Sequence, residues 1–310
     1  MKIAFFTEGG YVGKVPRSNP NMRTDQAWIC ALDGTHYPVT QVPKDTYDIG
    51  IVIIPKEENR KYLAESNYDL ISNVRKVCGK VAVMQEGTHW DWMEDSVNTM
   101  VWFYNQIMNA DILLCHNDID VRYYQGLTDK PCYVMPTLMI EDLVRQSPEK
   151  RESVFVAGNW HQTYRGFDAW IIGREFNLPI YGFKSGKFRL GEEVTGINYL
   201  PWIGWSDFMF ELSKNKYGVQ TYETSAGQFP LNCAFLGIPC IGYNQVDTQR
   251  ILHPDLSIEV GDVKAARELV YKLEDPIFYK QCSDKTKQLY TQHYSESVFK
   301  NKMKNILESI

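Results

Sequence analysis

The stretch YGVQTYETSAGQFPLNCAFLGIPCIGYN, from Tyr217 to Asn244, decides the fold. An apolar strand runs into a turn that contains Gly227, a short helical pattern follows, and Gly237 leads through Ile-Pro into a second apolar strand. Glycine adopts the backbone conformations that such tight turns demand. A strand, a helix and a strand in this order predict a βαβ unit with two parallel strands.

The same alternation of strands and helical patterns extends outward along the chain. Apolar runs predict further strands at 3–7, 47–55, 80–85, 110–117, 131–136 and 153–159, with helical patterns between them. Continuous apolar strands separated by helices indicate parallel sheets that are covered on both faces. The sequence therefore predicts the α/β class, with two tandem doubly wound, Rossmann-like domains and an interdomain cleft that binds ligands.

A polar, charged segment at 139–152 separates the two series of strands. Domain boundaries fall in such segments, so we expect one domain at 1–148 and a second at 149–310. The closing segment, YSESVFKNKMKNILESI, carries an apolar stripe at helical spacing and predicts a terminal helix docked on the core. Packing on the second domain and packing back across the first are both open.

Composition excludes several classes of protein. The chain of 310 residues is 44% apolar and 23% charged, which is typical of a folded globular protein. A net charge of −5 disfavours binding to nucleic acid by overall charge. The seven cysteines lack metal-site spacing and indicate reduced thiols of a cytoplasmic protein without a structural metal. No apolar run reaches the ~20 residues of a membrane span, and we expect no signal peptide.

The helix that begins near Gln228 has two interpretations. Its first-turn N–H groups and the positive end of its dipole point toward the carboxyl ends of the strands. Thr224 or Ser225 can cap such a helix without any ligand. Alternatively, Thr224, Ser225, Ala226, Gly227 and Gln228 bind an anion, for which a diphosphate is the natural candidate.

The motif GQFPLNCAFLGIPCIG resembles the second-domain motif of GT-B glycosyltransferases. The resemblance implies that the turn and the helix N-terminus bind the diphosphate of a nucleotide-sugar donor. Asn232 stands where the family has a ribose-binding Glu; its amide can accept a hydrogen bond from a hydroxyl but carries no charge. The stretch VFVAGNWHQTYRG is similar to the family's first strand and glycine loop. It implies that Gly158 and Asn159 line the donor and that Arg165 binds its phosphates.

Among GT-B families, the chain most resembles the bacteriophage DNA β-glucosyltransferases, through MKIAFFTEGG, VPRSN, YDIGIVIIP and KVAVMQEGTHW. The resemblance implies that Glu86, just after a buried strand, is the general base. His89 and Asp91 are alternative bases in the same loop, and Trp90 is placed to stack on a sugar or a base. Backbone N–H groups of Gly9 and Gly10 are placed to meet the acceptor or the transferred sugar.

These features predict an inverting glycosyltransferase that uses a nucleotide diphosphate sugar, UDP-linked, as co-substrate. The absence of an acidic metal-binding pair in a convincing context predicts catalysis without a metal or other cofactor. The predicted acceptor is a hydroxymethylated base in phage DNA, with a saccharide or small molecule as the alternative; a phage-encoded enzyme would act in the host cytoplasm. A nucleotide-sugar 2-epimerase and a non-catalytic nucleotide-sugar binder are the alternatives from other classes.

Overall fold

The computed structural model describes residues 1–8, 12–55, 57–85, 87–157, 160, 164–183, 191–223 and 226–309, except the side chains of 57, 58, 85, 91 and 94. The chain divides into two compact units. The first comprises residues 1–140 with 296–310, and the second comprises 141–295. The polar segment predicts a division after residue 148, whereas the compact units divide after Ile140. The terminal helix belongs to the first unit.

Six parallel strands form the sheet of the first unit, in the order β2-β1-β3-β4-β5-β6. They are β1 (Ile3–Thr7), β2 (Thr35–Pro38), β3 (Tyr47–Ile53), β4 (Cys78–Gln85), β5 (Ile112–Cys115) and β6 (Cys132–Val134). The chain moves from β1 to β2 on one side and continues from β3 on the other. The strand order therefore reverses between β1 and β3, and ligands of doubly wound sheets bind at the carboxyl ends of such strands.

Helices lie on this sheet. They are α1 (Thr24–Ala31), α2 (Glu57–Glu65), α3 (Leu70–Arg75), α4 (Val97–Asn109), α5 (Asp118–Leu127) and α12 (Glu296–Glu308). The side chains of Asp69 and Ser96 cap α3 and α4 by accepting hydrogen bonds from the backbone N–H groups of Ser72 and Thr99. The strands read as continuous apolar runs because helices bury them.

The sheet of the second unit also has six parallel strands, in the order β12-β11-β10-β7-β8-β9. They are β7 (Arg151–Ala157), β8 (Ile180–Phe183), β9 (Asn198–Leu200), β10 (Asn215–Gln220), β11 (Cys240–Tyr243) and β12 (Ser257–Ile258). In this doubly wound order, the first three strands of the unit form one half of the sheet and the next three strands form the other half. The order reverses between β7 and β10.

The helices of the second unit connect these strands. They are α6 (Gly166–Glu175), α7 (Trp205–Leu212), α8 (Gln228–Leu236), α9 (Asp247–Leu252), α10 (Val263–Leu273) and α11 (Pro276–His293). Tyr217 and Val219 of β10 pack into a core with apolar residues of α6 and α10. The intervening Gly218 faces α8, where an added Cβ would lie 3.0 Å from Cys233 Sγ. The predicted α/β class with two doubly wound sheets is thus confirmed.

Three short strands escaped the sequence patterns. β2, β9 and β12 are edge strands of four, three and two residues. Edge strands are often short and polar, which limits pairing with other chains. Their residues therefore lack the long apolar runs that marked the central strands.

The terminal helix α12 is attached to the first unit by an aromatic contact and a charged cluster. The Phe299 ring lies 5.2 Å from that of Trp28. Both guanidinium Nη atoms of Arg17 donate to the Glu296 carboxylate, at 2.9 and 2.8 Å. Arg17 and Lys300 lower the pKa of Glu296 to about 2. Among the described residues, every helix is too short or too polar to span a bilayer.

Candidate active site

The turn between β10 and α8 is built around Gly227. This residue is the N-cap of α8, and its φ of +74° lies in the left-handed region that glycine adopts without strain. An added Cβ atom would lie 2.0 Å from Oγ1 of Thr248, whose hydroxyl donates a 2.8 Å hydrogen bond to the Gly227 carbonyl oxygen. The turn therefore requires glycine, and α9 holds it in place through Thr248.

Helix α8 presents its N-terminus at the carboxyl edge of the second sheet. β10 and β11 are parallel neighbours joined through α8, so the helix starts at the edge where β10 ends. First-turn N–H groups lack intrahelical acceptors, and the helix dipole adds positive potential there. Pro230 has no N–H, so the backbone donors of this first turn belong to Gln228 and Phe229. This arrangement suits an anionic group.

Arg165 lies at the point where the strand order of the second sheet reverses. It follows β7, is the N-cap of α6 and has a φ of +43°. Its guanidinium forms a charged hydrogen bond with Glu223, which follows β10, and lies 3.6 Å from Oδ2 of Asp168. Thr221 Oγ1 donates to the Arg165 carbonyl oxygen at 2.8 Å. The loops after β7 and β10 are thereby joined.

The charge around Arg165 is not simply positive. Burial alone would lower the pKa of Arg165, but the pairing with Glu223 and Asp168 raises it. Asp168 also accepts a 2.7 Å hydrogen bond from the Tyr243 hydroxyl. One guanidinium thus faces two carboxylates, and a phosphate that approaches Arg165 must compete with Glu223.

Gln220, the last residue of β10, is a buried amide. It is 0% exposed, and neither Nε2 nor Oε1 has a hydrogen-bond partner among the residues that the structure describes. Gly218, two residues earlier on the same face, would place a Cβ 3.3 Å from the ring of Phe229 in the first turn of α8. Buried amides without partners are costly, by about 1–3 kcal/mol. Gln220 is therefore a candidate hydrogen-bonding group at the start of α8.

Asn232 lies one turn into α8 and is 2% exposed. Its Oδ1 accepts a 2.9 Å hydrogen bond from Nε2 of Gln228. The amide that stands at the expected ribose position thus already uses one lone pair of its oxygen, and its Nδ2 can donate a hydrogen bond to a ligand. Ala226 is half-buried just before Gly227. The remaining predicted donor residues, Gly158, Asn159, Thr224 and Ser225, lie outside the described residues.

In the first unit, the loop after β4 contacts the first turn of α5. Nδ1 of His89 lies 2.8 Å from Oδ1 of Asp120, and the same oxygen accepts the His89 backbone N–H at 2.8 Å. Asn117 Nδ2 donates to Oδ2 of Asp120 at 3.1 Å. Asp120 is 0% exposed. The Tyr123 ring stacks on the imidazole with 4.5 Å between centroids.

The other predicted residues of this edge are placed only in part. Trp90 is half-buried and precedes a short 3-10 turn, Asp91–Glu94, in which the side chain of Asp91 is not described. Glu86, Gly9 and Gly10 lie outside the described residues. Glu8, which precedes Gly9 and Gly10 in the sequence, accepts a 3.2 Å hydrogen bond at Oε1 from Nδ2 of Asn59 in α2.

Several residues of these sites were missed by sequence reasoning. Asp168 stands three residues after Arg165 on one helix, a spacing that signals contact. Glu223 and Asp120 are distant in sequence from their partners and gave no local signal. Within the described ranges, no group of three His, Cys, Asp or Glu side chains is arranged to hold a metal ion.

A scan against protein-family models and a search of curated proteins found no match. Solved structures do match. Sucrose-phosphate synthase from Thermosynechococcus elongatus has a TM-score of 0.70 at 10% identity, over 99% of this chain and 98% of that chain. Anabaena HepE, solved with UDP and glucose, has a TM-score of 0.68 at 10% identity, over the full length of both chains. The chain has the GT-B fold.

A third similar structure is longer. A mutant of S. aureus TarM, solved with Fondaparinux, alpha-GlcNAc-glycerol and UDP, has a TM-score of 0.62 at 9% identity. The match covers 84% of this chain but only 55% of that one. At such low identities these likenesses establish the fold, and the chemistry must be argued from the residues.

Proposed function

We propose that the chain is a glycosyltransferase that moves a hexose from a UDP-sugar to an acceptor hydroxyl with inversion at the sugar carbon. The observation that carries this proposal is the Gly227 turn, which delivers the N-terminus of α8 to the point where the second sheet reverses its strand order. That position suits a diphosphate. Two similar structures, HepE and TarM, were solved with UDP.

The second unit is the donor-binding unit in this proposal. The diphosphate lies at the start of α8, with the backbone N–H groups of the N-cap Gly227 and of Gln228 and Phe229 in the first turn as donors. Arg165 contributes its guanidinium by exchanging part of its pairing with Glu223 for a phosphate oxygen. Asn232 donates from Nδ2 to a ribose hydroxyl. Gly158, Asn159, Thr224, Ser225 and Ala226 complete the same loops in sequence.

The first unit is the acceptor-binding unit. Its 86–91 loop supplies the general base, which Glu86 fills by sequence position, with His89 and Asp91 as alternatives. The base takes the proton of the acceptor hydroxyl, the oxygen bonds to the anomeric carbon, and the bond from that carbon to the diphosphate breaks with its electron pair going to UDP. The α8 N-terminus and Arg165 stabilise the departing charge, so no metal is required.

For the acceptor, the resemblance to phage enzymes favours a hydroxymethylated base, which the enzyme must flip out of the duplex. The net charge of −5 gives little attraction to the DNA backbone and favours the alternative, a saccharide or small molecule. Trp90 offers a stacking surface to either acceptor.

Two alternatives from other classes are distinguished from a transferase by their products. An epimerase would convert the donor without any acceptor, and a non-catalytic binder would hold UDP without turnover.

The experiment that tests the proposal is a thermal unfolding series with UDP, GDP, ADP and CMP, each in EDTA and in magnesium. A ligand at 100 times its Kd stabilises the folded state by about 2.7 kcal/mol. We expect stabilisation by UDP alone, equal in EDTA. UDP-glucose turnover is then assayed with hydroxymethylated duplex DNA and with simple saccharides. Absence of stabilisation by every nucleotide would overturn the proposal.

A further inference from the structure

His89, one of the three candidate bases of the 86–91 loop, contacts the buried carboxylate of Asp120. The two side chains meet at the carboxyl edge of the first sheet, because β4 leads into the His89 loop and β5 leads into α5, which carries Asp120 in its first turn. Nδ1 and Oδ1 are 2.8 Å apart. This is the edge at which doubly wound sheets bind their ligands.

The hydrogen bonds around Asp120 define which ring nitrogen of His89 carries the proton. A buried aspartate is stable as a carboxylate only when donors surround it. Asp120 accepts from the backbone N–H of His89 and from Asn117, so its oxygens act as acceptors. The Nδ1 atom of His89 must then be the donor in the third contact. A neutral imidazole with its proton on Nδ1 has a lone pair on Nε2.

The exposed part of the imidazole is the edge opposite Asp120. The His89 side chain is 18% exposed, whereas Asp120 is fully buried. Tyr123 covers one face of the ring at 4.5 Å between centroids. Two contacts therefore fix the ring, one at its Nδ1 edge and one at its face, and they leave the Nε2 edge accessible to a bound molecule.

The geometry points to His89 as the general base of the sugar transfer and to Asp120 as the residue that positions it, an inference that rests on the proposed function. Nε2 takes the proton of the acceptor hydroxyl as its oxygen bonds to the anomeric carbon and UDP departs with the electron pair. The imidazolium that forms is stabilised by the Asp120 carboxylate.

The first experiment measures the dyad without relying on any substrate. The side-chain nitrogen shifts of isotope-labelled histidine report which ring nitrogen carries the proton, and His89→Gln assigns the His89 signals among the six histidines. We expect the Nδ1–H form in the wild-type protein and a shift toward the Nε2–H form in Asp120→Asn. An Nε2–H form in the wild-type protein would overturn the inference.

The second experiment measures UDP release from UDP-glucose with water as the acceptor. We expect His89→Gln to lower kcat by about 10²–10⁴-fold and Asp120→Asn by at least about 10²-fold. The UDP affinity of His89→Gln should stay unchanged, because the second unit binds UDP in the proposed function. His293→Gln makes the same chemical change at an exposed position of the second unit and should leave kcat unaltered.

The outcomes separate this inference from the proposed function. If His89→Gln keeps wild-type kcat while Glu86→Gln loses it, the base is Glu86 and the inference fails although the transferase stands. If the wild-type protein binds no UDP, the proposed function fails and so does the assignment of His89 as its base. If UDP binds but UDP-glucose is not hydrolysed, glucose is not the sugar that the enzyme transfers. The histidine nitrogen shifts then decide whether Asp120 holds His89 in the Nδ1–H form. If Asp120→Asn lowers only stability and leaves the His89 tautomer intact, Asp120 is structural.

Discussion

The carboxyl edges of the two sheets differ in the chemistry that they present. The second unit offers a helix N-terminus at Gly227 and a guanidinium at Arg165, both suited to an anion. The first unit offers an imidazole held by a buried carboxylate at His89 and Asp120. Two sheets of the same doubly wound type thus carry different groups at the same edge. The fold determines where the groups stand, and the loops determine what they do.

The carboxyl edge of the second sheet depends on one glycine, and changing it should produce the largest effect. In Gly227→Ala, the new Cβ meets Thr248, a stiff and buried side chain 2.0 Å away. The positive φ costs about 1 kcal/mol and the overpacking about 1–3 kcal/mol more. We expect a loss of up to about 4 kcal/mol in the free energy of unfolding, measured with urea, and UDP affinity weakened at least about tenfold.

Gly261→Ala is the matched control for this prediction. Gly261 belongs to the same unit and has a φ of +81°, but a Cβ added there meets nothing within 4 Å. It should therefore lose only the conformational part, about 1 kcal/mol, with unchanged UDP affinity. Equal losses in the two variants would mean that the Thr248 contact does not define the turn.

The buried histidine behind α8 should make the second unit sensitive to acid. Buried His253 donates from Nε2 to the Pro230 carbonyl oxygen of α8 at 3.0 Å and accepts from Thr286 at Nδ1. Burial lowers the pKa of His253 to about 4, against 6.5 for the unfolded chain. The unfolded state binds more protons between these values, so stability is complete above about pH 6.5 and falls as the pH drops toward 4, by about 3 kcal/mol in all.

Urea unfolding from pH 7 to pH 4 would measure this loss, and hydrogen exchange would assign it to the second unit. His253→Gln should flatten the pH dependence in this window, while His293→Gln should preserve it. The first unit provides contrast, since Arg17 and Lys300 keep the pKa of Glu296 near 2 and its charge persists at pH 4. A first unit that opened before the second on acidification would contradict the prediction.

The sequence patterns predicted the parts of this molecule that depend on local spacing. The long apolar runs located the central strands because both faces of those strands are buried. The glycine and the apolar run around Gly227 predicted a helix that begins near Gln228, where α8 does begin. Short edge strands such as β9 could not be recognised, because their few residues make little apolar contact.

The sequence patterns could not predict which side chains contact each other at the carboxyl edges of the two sheets, and the physical cause is different. His89 and Asp120 are 31 residues apart, and Arg165 and Glu223 are 58 apart. These pairs meet because parallel strands align the loops at their carboxyl ends, and the strand order decides which loops are neighbours. A single sequence does not contain that order, so the resemblance to GT-B enzymes could suggest Arg165 but not the carboxylate that faces it.

The smallest effect concerns the Glu223 carboxylate and tests whether the carboxyl edge of the second sheet is an anion site. Arg165→Gln removes a charged hydrogen bond and should weaken UDP binding about tenfold by calorimetry. Glu223→Gln should strengthen it a few-fold, because a phosphate no longer competes with a carboxylate for the guanidinium. Arg267→Gln is the control, since Arg267 pairs with Glu175 on the surface of the same unit. If all three variants bound UDP equally, Arg165 would only tie α6 to β10, and the anion affinity of this edge would rest on α8 alone.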